Sequence, residues 1–204
     1  KRYKFTYCHI ISGVHMPLFS QDYLHDFFNR KPYHDYLMMM PTNEQEIGLK
    51  MKRYHFFIKA FLHRIPLLKQ LDQYCWLAMI RMQRLLKITR NRGISFVKAS
   101  QWVSLSSDSV TYLLENKKKI LRRYQYTFCA DEFFIASELS QQENNMLFDC
   151  RNLLKCDFVG ISPREYAVND FKEIMESGCF FARKFSAKDL AVVNMILENF
   201  KKRK

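Results

Sequence analysis

The order of apolar and polar positions along the chain predicts a few short strands set among helices. Residues 3–12 carry strand-type side chains, with residues 5–11 as the buried part, and run into a turn at Ser12-Gly13 closed by Pro17. Ser20 then caps a helix with acid at Asp22, and Tyr23, Leu24, Phe27 and Phe28 fall on one apolar face. Residues 33–40 form a short apolar run before Pro41 and read as a strand, and the aromatic-rich residues 54–62 read as a helix. Pro66 opens the longest helical stretch. There Leu67, Leu68, Leu71, Tyr74, Cys75, Ala78, Met82 and Leu85 recur at helix spacing and predict a core-facing stripe.

After the turn signal Asn91-Arg92-Gly93 the same reading continues. Ser106 caps a short helix bearing Val110, Tyr112, Leu113 and Leu114. Residues 126–129 read as a strand leading into a helix over 131–139, and residues 141–145 as a polar loop. Residues 148–154 read as a short strand, 170–176 as a helix ending near Gly178, and 180–185 as a crossing to the last helix. Ser186 and Asp189 make a capping box for that helix, whose predicted buried face is Leu190, Val193, Ile196, Leu197 and Phe200. No repeat, low-complexity segment or linker interrupts the 204 residues. The pattern is α/β, read as one domain over residues 1–204.

Composition narrows the function classes. No apolar run reaches the length of a membrane-spanning helix. The chain starts without Met on a strand-like run, which leads us to expect an N-terminal portion upstream. The net charge of +13 invites a nucleic-acid or membrane-surface reading, but seven of those charges lie at the two ends. A run at Lys117-Lys118-Lys119 with Arg122-Arg123 fits either a solvated helix face or a surface for anionic lipid. The six cysteines form no C-x-x-C pair, and the six histidines form neither H-x-x-x-H nor H-E-x-x-H. Reduced thiols are expected, not a disulfide frame or a zinc site.

The densest chemistry is Phe128-Cys129-Ala130-Asp131-Glu132-Phe133-Phe134-Ile135, two carboxylates between apolar side chains. A carboxylate in apolar surroundings loses hydration and becomes a better proton acceptor. The plainer alternative makes Asp131 a helix cap and Glu132 a first-turn residue favoured by the helix dipole.

Four separated stretches bear a resemblance to one family. Ile11-Ser12-Gly13-Val14-His15-Met16-Pro17-Leu18 with Phe27-Phe28, Lys98-Ala99-Ser100-Gln101-Trp102, Asp131-Glu132-Phe133-Phe134, and Phe181-Ala182-Arg183-Lys184-Phe185 occur in this order. Together they resemble the SGxDxPL turn, the GSQW segment, the DE-aromatic motif and the closing FARKF of the core-2/I-branching β-1,6-N-acetylglucosaminyltransferases, most of all the bacterial members. The resemblance implies a GT-A-like fold with a mixed sheet of short strands. It also implies inverting transfer of a sugar, N-acetylglucosamine by family habit, from a UDP-sugar to a hydroxyl of a glycan. Glu132 takes the position of the general base. Lys184 matches the diphosphate-contacting lysine and Arg164 its partner arginine, in a family that works without metal; no Asp-x-Asp motif occurs here. Asp35, Trp102, Gly13 and Asp131 fall at acceptor-side positions, Trp102 as a stacking platform or as a core residue, and Gly13 as a tight turn or close backbone approach.

His15 stands where the family has Asp, Ala99 where it has Gly, and Ala130 where Pro often precedes the acidic pair. The implied partners are a UDP-sugar and a glycan acceptor, with peripheral membrane contact and no nucleic acid. The expected compartment is the cytoplasm, at the inner face of a bacterial membrane, with the Golgi lumen as the alternative. The competing reading is a non-catalytic basic module on an anionic membrane or nucleic-acid surface, or a family member that has lost activity.

Overall fold

The structure, a computed structural model, describes residues 4–30, 34–56, 65–142, 146–160 and 162–202. It divides into two compact units. The first takes Lys1–Met39, Ser100–Thr111 and Glu143–Lys204, and the second Met40–Ala99 and Tyr112–Gln142.

The strands of the first unit are short: β1 (Tyr7–Ile10), β2 (His15–Pro17), β3 (His34–Leu37), β4 (Val103–Ser106), β5 (Met146–Asp149), β6 (Leu154–Cys156), β7 (Phe158–Val159), β8 (Ser162–Pro163) and β9 (Phe181–Arg183). They form a four-stranded mixed sheet in the order β1-β4-β3-β5, a three-stranded sheet β2-β9-β6, and the hairpin β7-β8. β4 lies antiparallel to both β1 and β3, and β3 runs parallel to β5. The expected strands at 3–12 and 33–40 are present as β1 and β3, yet β1 is an edge strand with half-buried side chains, not a core strand. The stretch read as one strand over 148–154 is divided between β5 and β6.

Helix α1 (Gln21–Asn29) starts where its cap predicts: the Ser20 hydroxyl accepts the Tyr23 N–H at 3.3 Å. Phe28 is buried and Leu24 and Phe27 pack beside it in a cluster with Tyr36, Leu153, Leu154, Phe180 and Phe181, while Tyr23 faces solvent. A second cluster gathers Leu18, Tyr166, Ile174, Phe185, Val192 and Ile196 around helices α7 (Phe171–Glu176) and α8 (Ala191–Lys202). At the start of α8 the capping box is replaced. Asp189 accepts the Ala191 N–H and Ser186 the Lys188 N–H. The helix therefore begins later than expected; Val192 and Ile196 face inward and Leu190 and Leu197 outward.

The second unit holds α2 (Glu44–Lys50), α3 (Pro66–Leu85), α5 (Lys117–Tyr124) and α6 (Phe134–Ser140). Helix α4 (Ser107–Glu115) carries the chain from the first unit into it. Its core is Ile47, Met51, Phe96, Ile120, Tyr124 and Phe133. The helix expected at 54–62 falls mostly outside the described residues, and 54–56 are irregular.

α3 overturns its sequence reading. Ile80 and Gln83 are its buried positions, whereas Leu67, Leu71, Tyr74, Met82 and Leu85 are exposed. The buried side is tied down by polar groups: Gln83 exchanges two 2.8 Å hydrogen bonds with the Tyr54 backbone, and Trp76 Nε1 donates to His55 Nδ1 at 2.9 Å. Helical periodicity identifies an apolar face but carries no sign for its direction. α3 ends in a left-handed cap at Lys87 (φ +52°), with the Ile88 N–H on Gln83 O at 2.9 Å and the Lys87 N–H on Arg84 O at 3.2 Å.

Buried polar groups also shape the second unit. Arg90 is only 9 % exposed, yet none of the described carboxylates pairs with it. Its guanidinium lies 4.9 Å from the Tyr54 ring centroid and donates to the carbonyls of Arg122 and Arg123 at the end of α5.

Candidate active site

In the second unit, residues 126–129 are a turn residue followed by bends instead of the expected strand, and the acidic pair sits on a single 3-10 turn, Ala130–Glu132, before α6. Cys129, at φ +53°, turns the chain into it through the left-handed region that a side chain normally avoids. Asp131 is exposed and does not cap α6, whose N-cap Phe133 makes no side-chain bond.

Glu132 is not enclosed by its aromatic sequence neighbours. Its side chain is 33 % exposed, and its Oε2 lies 3.2 Å from Lys50 Nζ and 3.7 Å from Lys98 Nζ. Glu46 completes a cluster of two cations and two anions, with Oε1 2.8 Å from Lys50 and 2.7 Å from Lys98. The hydrogen bonds from the two lysines hold the Glu46 carboxyl down to about 2. Glu46 is thus the tight partner of both lysines and Glu132 the looser one. No described residue bonds Glu132 Oε1. Of these partners, Lys98 belongs to the 98–102 stretch matched above, whereas Glu46 and Lys50 belong to none of the four stretches. Glu46 and Lys50 did carry a signal, the i, i+4 spacing on a capped helix.

The first unit holds the remaining candidates. Backbone pairing makes neighbours of Arg164 and Lys184, twenty residues apart in sequence: the Lys184 N–H donates to Arg164 O at 3.3 Å and the Tyr166 N–H to Lys184 O at 2.9 Å. Lys184 Nζ is 3.0 Å from Glu165, with 38 % of its side chain exposed. Arg164 meets both oxygens of Asp170 at 2.9 Å and lies 3.7 Å from Asp157, and these carboxylates raise its pKa. Both basic groups therefore have carboxylate partners.

Asp35 reads differently from its expected acceptor role. It is fully buried on β3, with Oδ1 accepting the Ser106 N–H at 2.8 Å and Oδ2 the Ser109 hydroxyl at 2.5 Å. Those bonds occupy the carboxylate at the N-terminus of α4, out of reach of a sugar, so in this structure Asp35 serves the fold. Gly13 is exposed, its φ is not positive, and a Cβ there would meet nothing within 4 Å, so no protein group requires glycine. Trp102 is half-buried, with His15 edge-on at 4.7 Å and the Arg183 guanidinium 5.2 Å from its ring centroid. The His15 ring accepts from Ser12, its Nε2 is buried without a partner among the described residues, and burial followed by the Arg183 charge pulls its pKa to about 4.

Among the described residues no three His, Cys, Asp or Glu side chains converge as metal ligands, and no helix is long and apolar enough to cross a membrane. No curated protein matches the chain. The family model described as "Core-2/I-Branching enzyme" matches residues 3–174, a span that includes the acidic pair and Arg164 and stops before Lys184. With five-sixths of the sequence inside that match, the chain belongs to the core-2/I-branching enzyme family of glycosyltransferases.

Proposed function

We propose that the protein is an inverting glycosyltransferase with a GT-A-like fold. It moves a sugar, N-acetylglucosamine by family habit, from a UDP-sugar to a hydroxyl of a glycan without a metal. The acceptor oxygen forms its bond to the anomeric carbon as the bond to the diphosphate breaks. Glu132 receives the acceptor proton, and the charge that builds on the leaving UDP is met by Lys184 and Arg164. A single displacement of this kind inverts the anomeric centre. In this reading the diphosphate takes the place of Glu165 on Lys184, while Arg164 stays oriented by Asp170. Trp102 offers the aromatic surface on the acceptor side.

The observation that carries the reading is the Glu132 carboxylate, which is positioned through one oxygen by two lysines and whose other oxygen no described residue engages. Glu132→Gln keeps the shape of the group and removes its proton affinity. We expect it to lower turnover by about 10³-fold and to leave UDP affinity, measured calorimetrically in EDTA, within about two-fold. Lys184→Ala should weaken UDP binding about ten-fold under the same conditions. Full turnover by Glu132→Gln would remove Glu132 as the base, and UDP binding that appears only with Mn²⁺ would remove the metal-free mechanism.

A further inference from the structure

The face of α3 turned away from the core of its own unit is apolar along its whole length. Leu67 is 73 % exposed, Leu71 57 %, Tyr74 70 % and Leu85 82 %, with Ala78 and Met82 between them on the same face. At 1.5 Å per residue this stripe runs for about 27 Å. Soluble monomers seldom leave a continuous apolar strip of that size in water. The opposite side of the helix, with Ile80, Gln83 and Trp76, is the one fixed to the unit.

Charge identifies the occupant. The unit that contains α3 holds 17 of the chain's 33 basic residues and only 7 of its 20 acidic ones, a net charge of +10 out of +13. Within α3 the sole acid is Asp72, spaced to the inner side, while Arg81 borders the stripe and Lys87 follows the last turn. A second copy seated on the stripe would bring two such units together against their mutual repulsion. An anionic bilayer supplies both what the stripe lacks and what the charge attracts.

We infer that α3 is an interfacial membrane helix. It lies in the plane of an anionic lipid surface with Leu67, Leu71, Tyr74 and Leu85 among the acyl chains and Arg81 and Lys87 at the headgroups. This goes beyond the proposed sugar transfer and does not depend on it. It places the protein at a membrane on which its acceptor could be presented.

The test is flotation of the purified protein with vesicles of phosphatidylcholine, alone or with about 30 % phosphatidylglycerol. We expect flotation with the anionic vesicles, at least about ten-fold less with the neutral ones, and release as NaCl is raised to about 0.5 M. Leu71→Glu/Leu85→Glu changes only exposed side chains and should lower the bound fraction at least about ten-fold with an unchanged melting temperature. The wild-type protein carrying an environment-sensitive fluorophore on the exposed Cys75 should show a blue shift on anionic vesicles, an independent readout should the double variant fold poorly. Absence of flotation at low salt overturns the inference. So does equal flotation of the double variant, because charge alone would then account for binding. A concentration-dependent dimer dissolved by the same substitutions, without vesicle binding, would assign the stripe to a second copy. None of these readouts involves a sugar nucleotide, so failure here leaves the transferase reading untouched, and the reverse holds too.

Discussion

Asp35→Ala separates a carboxylate that builds the fold from one that grips a substrate. Asp35 is fully buried and its two oxygens accept from the Ser106 N–H and the Ser109 hydroxyl. Each hydrogen bond to a charged group contributes about 1.5–3 kcal/mol, so the two sum to about 3–6 kcal/mol. Part of that is offset, because the substitution also removes the cost of keeping a charge out of water. A net loss of about 3 kcal/mol remains, or about 6–12 °C in melting temperature for a chain of this size. Urea denaturation followed by circular dichroism measures it directly. Ser109→Ala alone should cost about 1.5 kcal/mol, and almost nothing once Asp35 is gone, so the double-mutant cycle should show a coupling of about 1.5 kcal/mol. An acceptor-binding carboxylate would behave in the opposite way, raising KM with stability unchanged. An Asp35→Ala protein within about 0.5 kcal/mol of wild type would refute the structural assignment.

Two further substitutions probe backbone and charge. Lys87→Gly relieves a side chain held at φ +52° in the C-cap of α3 and should stabilise the protein by about 1 kcal/mol in the same urea titration. His15 binds its proton near pH 4 in the folded protein and near 6.5 in the unfolded chain. Its neutral form therefore contributes stability that is complete above pH 6.5 and is lost as the pH falls from 6.5 through 4. Between pH 7 and 4.5 the melting temperature of His15→Gln should drop less than that of wild type. Because burial also lowers the pKa of His9 and His55, the comparison rests on the difference between the two curves, and parallel curves would count against His15.

Local signals located the elements better than their surroundings. The Ser20 cap, Pro66 and the turn near Gly178 mark helix boundaries because each acts on its own few residues. The direction α3 faces depends on what else the unit offers it, and a periodicity of 3.6 contains no such information. The setting of Glu132 was misjudged for a related reason. Its sequence neighbours are aromatic, but its actual partners, Lys50 and Lys98, lie 82 and 34 positions away in sequence. Arg164 and Lys184 were matched separately to family positions, and only the backbone pairing of 164–166 with 184–185 makes them adjacent. Asp35 shows the converse: its position matched an acceptor motif, while burial on β3 and the start of α4 decide its role.

The outward apolar face of α3 also sets how the protein behaves away from any surface. In dilute buffer, setting stripe against stripe would also bring two strongly basic units together, and their repulsion opposes that meeting. Salt screens that repulsion within about 10 Å at 0.1 M and leaves the apolar attraction intact. The same ions that would detach the protein from an anionic bilayer should thus drive it to self-associate. Colloidal stability and membrane release then become competing demands on one buffer variable, and a vesicle surface acts as a solubiliser for the helix that water tolerates least.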